Sequence, residues 1–248
     1  SADKHHFFTR YVYGFTQSMK NKPWSGLHYV DLFAGAGIEL VEGKGLQWGS
    51  PLIAAQSPSP FHRLHLCELD HQKFEALKSR MERFPQPEPP QLILGDANTE
   101  VHRIIETLPQ DALCLAFLDP YGLHLDYATL QVLAKRRMDL LIFFPDHLDA
   151  LRNAEYVYAD QPNSQLDRVL GTREWRAALE RKPRDVWAEE LRQIYEKQIK
   201  QLGYRHFDYE RIRKPSGPYL YRLIFCSKHP TGAKIWRGTS QRKADGQM

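Results

Sequence analysis

What this chain has little of narrows the reading first. Three cysteines occur in 248 residues, Cys67, Cys114 and Cys226, and no two are close enough to form a C-x-x-C pair. Neither a disulfide framework nor a zinc ribbon is therefore expected. Cys114 and Cys226 sit inside apolar runs, where cysteine acts as a small buried hydrophobe, and a reducing cytoplasm is the expected compartment. No run approaches the ~20 apolar residues that cross a bilayer. The polar start Ser1-Ala2-Asp3-Lys4-His5-His6 shows no signal-peptide pattern. Its histidines lack metal-ligand company and are expected at the surface, no metal site is expected anywhere, and Lys4 reads as a disordered terminal lysine, with reach to a ligand carboxylate as the alternative. No internal repeat or low-complexity tract occurs, and nowhere does a cysteine follow a proline.

What is present is ordinary for a globular protein: 42% hydrophobic and 26% charged residues. A chain of this length buries roughly 70–75% of its unfolded surface, enough for a core without staples. The net charge of +4 is unevenly spread. Residues 1–172 hold 16 basic and 21 acidic side chains, and residues 173–248 hold 18 and 9. A basic C-terminal third is the footprint expected of a nucleic-acid partner, while a solvated helix with paired charges explains it equally well.

Phe7, Phe8, Tyr11, Val12, Phe15 and Met19 recur at helical spacing, giving an amphipathic helix within residues 1–26. Five strand-like runs follow at 27–33, 62–67, 91–94, 112–118 and 139–144, mostly separated by helical patterns. The inner ones are apolar nearly throughout, as strands covered on both faces should be. Asn98 reads as an N-cap and 127–135 as a short helix. Residues 145–184 fit the pattern least and read as a helical insertion. In the remaining stretch, 185–248, an amphipathic helix (185–202) precedes two strands (204–212 and 219–227). These flank the turn residues Lys214-Pro215-Ser216-Gly217-Pro218. A parallel sheet finished by an antiparallel hairpin, in one domain, is the Rossmann-like plan of class I methyltransferases.

Four acidic or glycine-rich positions end four successive strands, the edge at which open α/β sheets bind ligands. Gly35-Ala36-Gly37 lets backbone approach a ligand closely. Glu68 stands where a carboxylate accepts from ribose hydroxyls, Asp96 where one accepts from an adenine amino group, and Asp119 beside the reactive centre. A dinucleotide fingerprint would place a third glycine where Leu40 stands, and Glu39 and Glu42 are poor neighbours for a pyrophosphate. Asp31 before the loop suits the cationic aminoacyl end of S-adenosylmethionine. Ser50 followed by Pro51 reads as an N-cap and first helical residue, aiming backbone N–H groups at the cofactor carboxylate. The candidate cofactor-binding set is Asp31, Phe33, Ala34, Gly35, Gly37, Ser50, Glu68, Leu69, Asp96, Ala97 and Asp119.

Asp31-Leu32-Phe33-Ala34-Gly35-Ala36-Gly37 resembles the first motif of nucleic-acid amino and cytosine methyltransferases. The cytosine-C5 mechanism needs a Pro-Cys nucleophile, which this chain lacks. Asp119-Pro120-Tyr121 resembles the D-P-P-Y motif of enzymes that methylate exocyclic amino groups, with one proline missing. The resemblance implies catalytic roles for Asp119, Pro120 and Tyr121: carboxylate and carbonyl accept from the target NH2 while the ring stacks on an extruded base. A wider set is similar to the three-Cys-motif partner family. It comprises K-x-x-F-F-x-x-Y from Lys4, W-G-S-P-L from Trp48, C-E-L-D, G-D-A-N, F-L-D-P-Y-G, L-G-T-R-E-W and Y-L-Y-R-L-I-F-C-S-K-H. That resemblance implies a methyltransferase-like fold working beside a companion protein with a radical-SAM-like three-cysteine motif. Methylation of a small molecule or a protein, and a non-catalytic partner role, stand as alternatives to a nucleic-acid base.

Overall fold

Strands that are apolar on both faces are satisfied only between two covering layers. The computed structural model, which describes residues 2–41, 43–144, 158–213 and 219–240, provides them. The chain runs α1 (Ala2–Met19), β1 (Leu27–Asp31), β2 (Ile38–Val41), β3 (Gly45–Trp48), α2 (Ser50–Ala55), β4 (Arg63–Glu68) and α3 (His71–Met81). It continues with β5 (Gln91–Leu94), α4 (Ala97–Thr107), β6 (Leu113–Leu118), α5 (Tyr127–Leu133) and β7 (Arg137–Phe144). Then come α6 (Gln165–Leu170), α7 (Glu174–Glu180), α8 (Trp187–Gln201), β8 (His206–Arg213), β9 (Tyr219–Ser227) and α9 (Pro230–Ser240).

Seven strands form one sheet in the order β5-β4-β1-β6-β7-β9-β8. The first five in that order pair in parallel, and β9 is antiparallel to β7 and β8. Alternation along each strand sorts its side chains between the layers. From β6, Cys114, Ala116 and Leu118 join the core under α4 to α8, while Leu115 and Phe117 join the core under α1, α2, α3 and α9. All three cysteines are buried and free, as small hydrophobes should be. The chain runs from β1 outward to β4 and β5, then crosses back to β6 and β7. The carboxyl ends of β1 and β6 therefore flank the crevice where strand order reverses.

The strands form within a residue or two of their expected bounds, with corrections at the ends. The first stops at Asp31 because Asp31 accepts from the Phe33 N–H and turns the chain. Asn98 does not cap α4. Asp96 does, its Oδ1 accepting from the N–H groups of Asn98 and Thr99, while Asn98 ties the His124 carbonyl and the Asp126 N–H to the helix. Three elements, β2, β3 and α9, have no counterpart in the expected pattern. The β2–β3 hairpin turns through Gly43 and Gly45, both at positive φ, and presents the cross-strand pair Leu40 and Leu46, 80% and 72% exposed. Helix α9 packs Trp236 flat on Phe225. Of the expected insertion, α6 and α7 lie within 158–184. Residues 145–157 and the turn at 214–218 are outside the described residues.

At the amino ends of β1 and β4, two buried imidazoles share one hydrogen bond. Gln91 Oε1 can only accept, so His65 Nδ1 donates to it at 2.6 Å. His65 Nε2 must then accept from His28 Nδ1 at 3.0 Å. Burial first, with neighbouring basic rings and Arg63, pulls His28 down to about 3; burial pulls His65 down to about 4. Unfolded histidine titrates near ~6.5, so the unfolded chain takes up protons first. The pair's stability is complete above about pH 6.5 and is lost as pH falls toward 4. Imidazole NMR is expected to show both rings neutral at about pH 5.5, and His28→Leu to flatten the acid-side loss of melting temperature. A midpoint near the free value for either ring contradicts the buried neutral pair.

Candidate active site

The loop after β1 is held from beneath. Asp31 is fully buried, and its oxygens accept from the Tyr29 hydroxyl (2.8 Å), the Ser50 hydroxyl (2.6 Å) and the Phe33 N–H (3.1 Å). Burial raises its carboxyl to about 7, against the lowering effect of Ser50, Tyr29 and Phe33; nearby Asp119 adds to the rise. The open carboxylate expected at Asp31 is thus corrected to an internal anchor. Ser50 is also reassigned. It is the first helical residue of α2, Gly49 is the cap, and the Ser50 hydroxyl goes to Asp31 rather than to the helix end. Phe33 is half-buried against the core, and buried Ala34 donates its N–H to the Cys67 carbonyl.

Gly35 stands at φ +62°, and a Cβ there would meet nothing within 4 Å, so the loop faces open space. Gly37, at φ +79°, accepts from the Gly49 N–H, while its own Cβ position is closed by Leu52 and Leu77. Glu68, buried at the end of β4, accepts from the N–H groups of Gly35 (2.7 Å) and Asp70 (2.8 Å). It therefore ties the glycine loop to the next strand. Leu69 beside it is 68% exposed, as is much of Leu94 at the end of β5. Asp96 is exposed with one oxygen capping α4, and Ala97 is buried in the first turn of that helix.

Asp119 is half-buried just beyond the end of β6, Pro120 is buried, and Tyr121 is 94% exposed ahead of Gly122 at positive φ. Lys4, expected as a disordered terminal lysine, proves to be buried at this edge. Its ammonium lies 2.7 Å from Asp119 Oδ2 and 3.0 and 3.1 Å from the two Glu39 oxygens. Burial opposes the charge, but Asp119 and Glu39 outweigh it and hold Lys4 firmly protonated. Glu39 falls to about 2: burial works against this, and hydrogen bonds and charge from His5 and Lys4 overcome it. His5 donates to Glu39 from a half-buried position, whereas His6 is exposed as expected. Sequence reasoning missed Glu39 because β2 was unread. It undervalued Lys4, whose signal is one helical turn: the buried Phe7 and Phe8 follow it and drive that end of α1 onto the sheet.

No protein-family model and no curated protein matches this chain. Solved structures do. An O-methyltransferase from Bacillus cereus in complex with SAH matches over 91% of this chain and 81% of its own, at 12% identity and a TM-score of 0.55. The Streptomyces achromogenes O-methyltransferase TomG in complex with SAM covers 92% and 81%, at 13% identity and 0.52. A Legionella pneumophila protein covers 96% and 91%, at 11% identity and 0.54. The fold is that of class I methyltransferases.

On this methyltransferase frame, loop, Glu68, Asp96 and Asp119 all lie at the carboxyl edge of the sheet. Within the basic C-terminal third, five cations near or on α7 and α8 are paired with carboxylates. Arg176 pairs with Asp167, Lys197 with Glu174, Lys200 with Glu196, Lys182 with Glu190, and Arg192 with both Glu189 and Glu196. No helix among the described residues is long and apolar enough to cross a membrane. Lys4→Met leaves Asp119 and Glu39 facing each other without their cation. A loss of about 1–3 kcal/mol in denaturant unfolding is expected, partly restored by adding Glu39→Gln. Unchanged stability in the single variant contradicts the ion-pair geometry.

Proposed function

We propose that this protein is an S-adenosylmethionine-dependent methyltransferase acting on an exocyclic amino group of a nucleic-acid base. The observation that carries this reading is Asp119: a half-open carboxylate at the end of the central strand that already holds an N–H donor at 2.7 Å, with Tyr121 exposed two residues on.

The residues present suit the cofactor. Gly35 leaves open space where any other residue would carry a side chain, and it would underlie the ligand with Gly37. Glu68 keeps a second lone pair on each oxygen for ribose hydroxyls. Exposed Leu69 and Leu94 offer apolar surface to adenine, and Asp96 offers an acceptor. Lys4, once released from Asp119, would offer an N–H to the aminoacyl carboxylate. When bound, the cofactor supplies an electrophilic methyl group on a sulfonium.

The chain's own groups prepare the acceptor nitrogen. Asp119 and the Pro120 carbonyl accept its hydrogens, which leaves its lone pair free to attack, and the proton released on methylation passes to Asp119 or solvent. Tyr121 offers its ring to an extruded base. Lys4 stands where this amino group is needed, so acceptor binding exchanges one N–H donor for another on Asp119. Asp31 and Glu68 keep the loop shaped before any ligand arrives. The motifs from Lys4 to His229 support membership of the three-Cys-motif partner family, and with it a companion protein.

A second reading has its own observation. Two carboxylates, Asp119 and Glu39, grip a primary ammonium, which favours an aliphatic amine acceptor on a small molecule or protein. The pairing of the C-terminal cations also weakens one argument for nucleic acid. Radiolabelled methyl transfer into RNA, DNA, protein and small-molecule fractions separates the readings. Asp119→Asn is expected to lower transfer at least ~100-fold while cofactor affinity changes only a few-fold. Transfer retained in that variant overturns the role of Asp119.

A further inference from the structure

At the opposite end of the sheet from Asp119, beneath the amino ends of β6 and β7, lies a cavity of about 540 Å3. That volume falls within the range of about 300–1,000 Å3 typical of small-ligand sites. Its walls are mostly apolar, formed by Phe15 and Met19 of α1, Trp24 and Met138.

Three cations stand on this wall: Lys22, Arg137 and Lys228. Among the described residues none of them pairs with a carboxylate, in contrast to the neutralised arginines and lysines of α7 and α8. Arg137 lies over the Trp24 ring at 5.8 Å. Among the described residues, the half-buried Lys228 ammonium is held by the carbonyls of Ala134 and Arg136 and lies over the ring of Tyr204, and burial lowers its proton affinity. Trp24 adds an unmet demand, since its indole Nε1 is buried with no acceptor. The one carboxyl on the wall, Asp139, does not answer these donors. It accepts from the Tyr11 hydroxyl and from Ser227, and burial pushes it up to about 6 against those two bonds. Gly232 keeps this corner tight, because a Cβ there would sit 2.7 Å from Asp139 Oδ2.

An unpaired cation at an open surface is ordinary, whereas a buried donor without a partner calls for one. Here the exposed cations Lys22 and Arg137 and the half-buried Lys228 border an apolar cavity whose wall also carries Trp24, the residue with the unmet indole N–H. We propose that this cavity binds a small organic anion: a ring-sized apolar body carrying a carboxylate, sulfonate or phosphate. The anion would face Arg137 and Lys228, and the body would lie against Trp24 and Met19.

Calorimetry with 2-naphthoate and its uncharged counterpart 2-naphthalenemethanol tests this, with and without saturating S-adenosylhomocysteine to separate the two ends of the sheet. One naphthoate per chain is expected, bound at least ~10-fold more tightly than the alcohol and unaffected by S-adenosylhomocysteine. Arg137→Gln, at an exposed position, and Trp24→Phe, which keeps the ring and removes the N–H, are each expected to weaken it ~10-fold at unchanged melting temperature. The proposal is overturned by any of four results: no heat at millimolar naphthoate, equal binding of the alcohol, full affinity in both variants, or displacement by S-adenosylhomocysteine.

Discussion

A lysine ammonium withdrawn from water is stable only with partners close by, and that demand organises the carboxyl edge of this sheet. Lys4 enters on the first turn of α1, because Phe7, Phe8 and Tyr11 seal that helix onto the sheet. It then satisfies itself on Asp119, beyond β6, and on Glu39, in the β2–β3 hairpin. Three segments far apart in sequence are thereby fixed around one charge. The glycine loop between them is set by two further carboxyls, Asp31 from below and Glu68 from the side. Most of the acidic groups that sequence reasoning assigned to a ligand thus already have work within the protein. What they leave open, at Gly35, Leu69 and Tyr121, is the surface a ligand would meet.

The fold was legible because its strongest constraint is written in the inner strands of the sheet. Runs such as Leu113–Leu118 and Arg137–Phe144 are apolar at nearly every position, and only a sheet covered on both faces accommodates them. The register of acidic residues after β4, β5 and β6 was legible for the same reason, since strand ends are where periodicity stops. The β2–β3 hairpin was not. Its four-residue strands are short and carry exposed Leu40 and Leu46, so neither an apolar run nor a clean alternation marks them. Capping was misassigned by one or two residues at Ser50 and Asn98, since polar residues cluster at helix starts and only geometry selects the one that caps. Lys4 was legible only as a residue able to reach a ligand carboxylate; its partners within the protein, 35 and 115 positions away, were not.

Charge tells a similar story at larger scale. The excess of basic residues after position 173 suggested an anionic partner, yet on α7 and α8 these side chains are mostly spent on neighbouring glutamates. Unspent positive charge is found instead at the amino edge of the sheet, around a cavity that composition alone could not reveal. Residue counts fix net charge; the fold decides which charges are left to act on a partner.

The central claim is that the edge shaped by Lys4, Glu68 and the Gly35 loop is a cofactor site, and calorimetric titration with S-adenosylmethionine tests it most directly. The account predicts one site per chain with micromolar affinity, weakened at least ~10-fold by Glu68→Ala, which removes the loop anchor and the ribose acceptor together. No heat at near-millimolar ligand, or unchanged affinity in the variant, contradicts it.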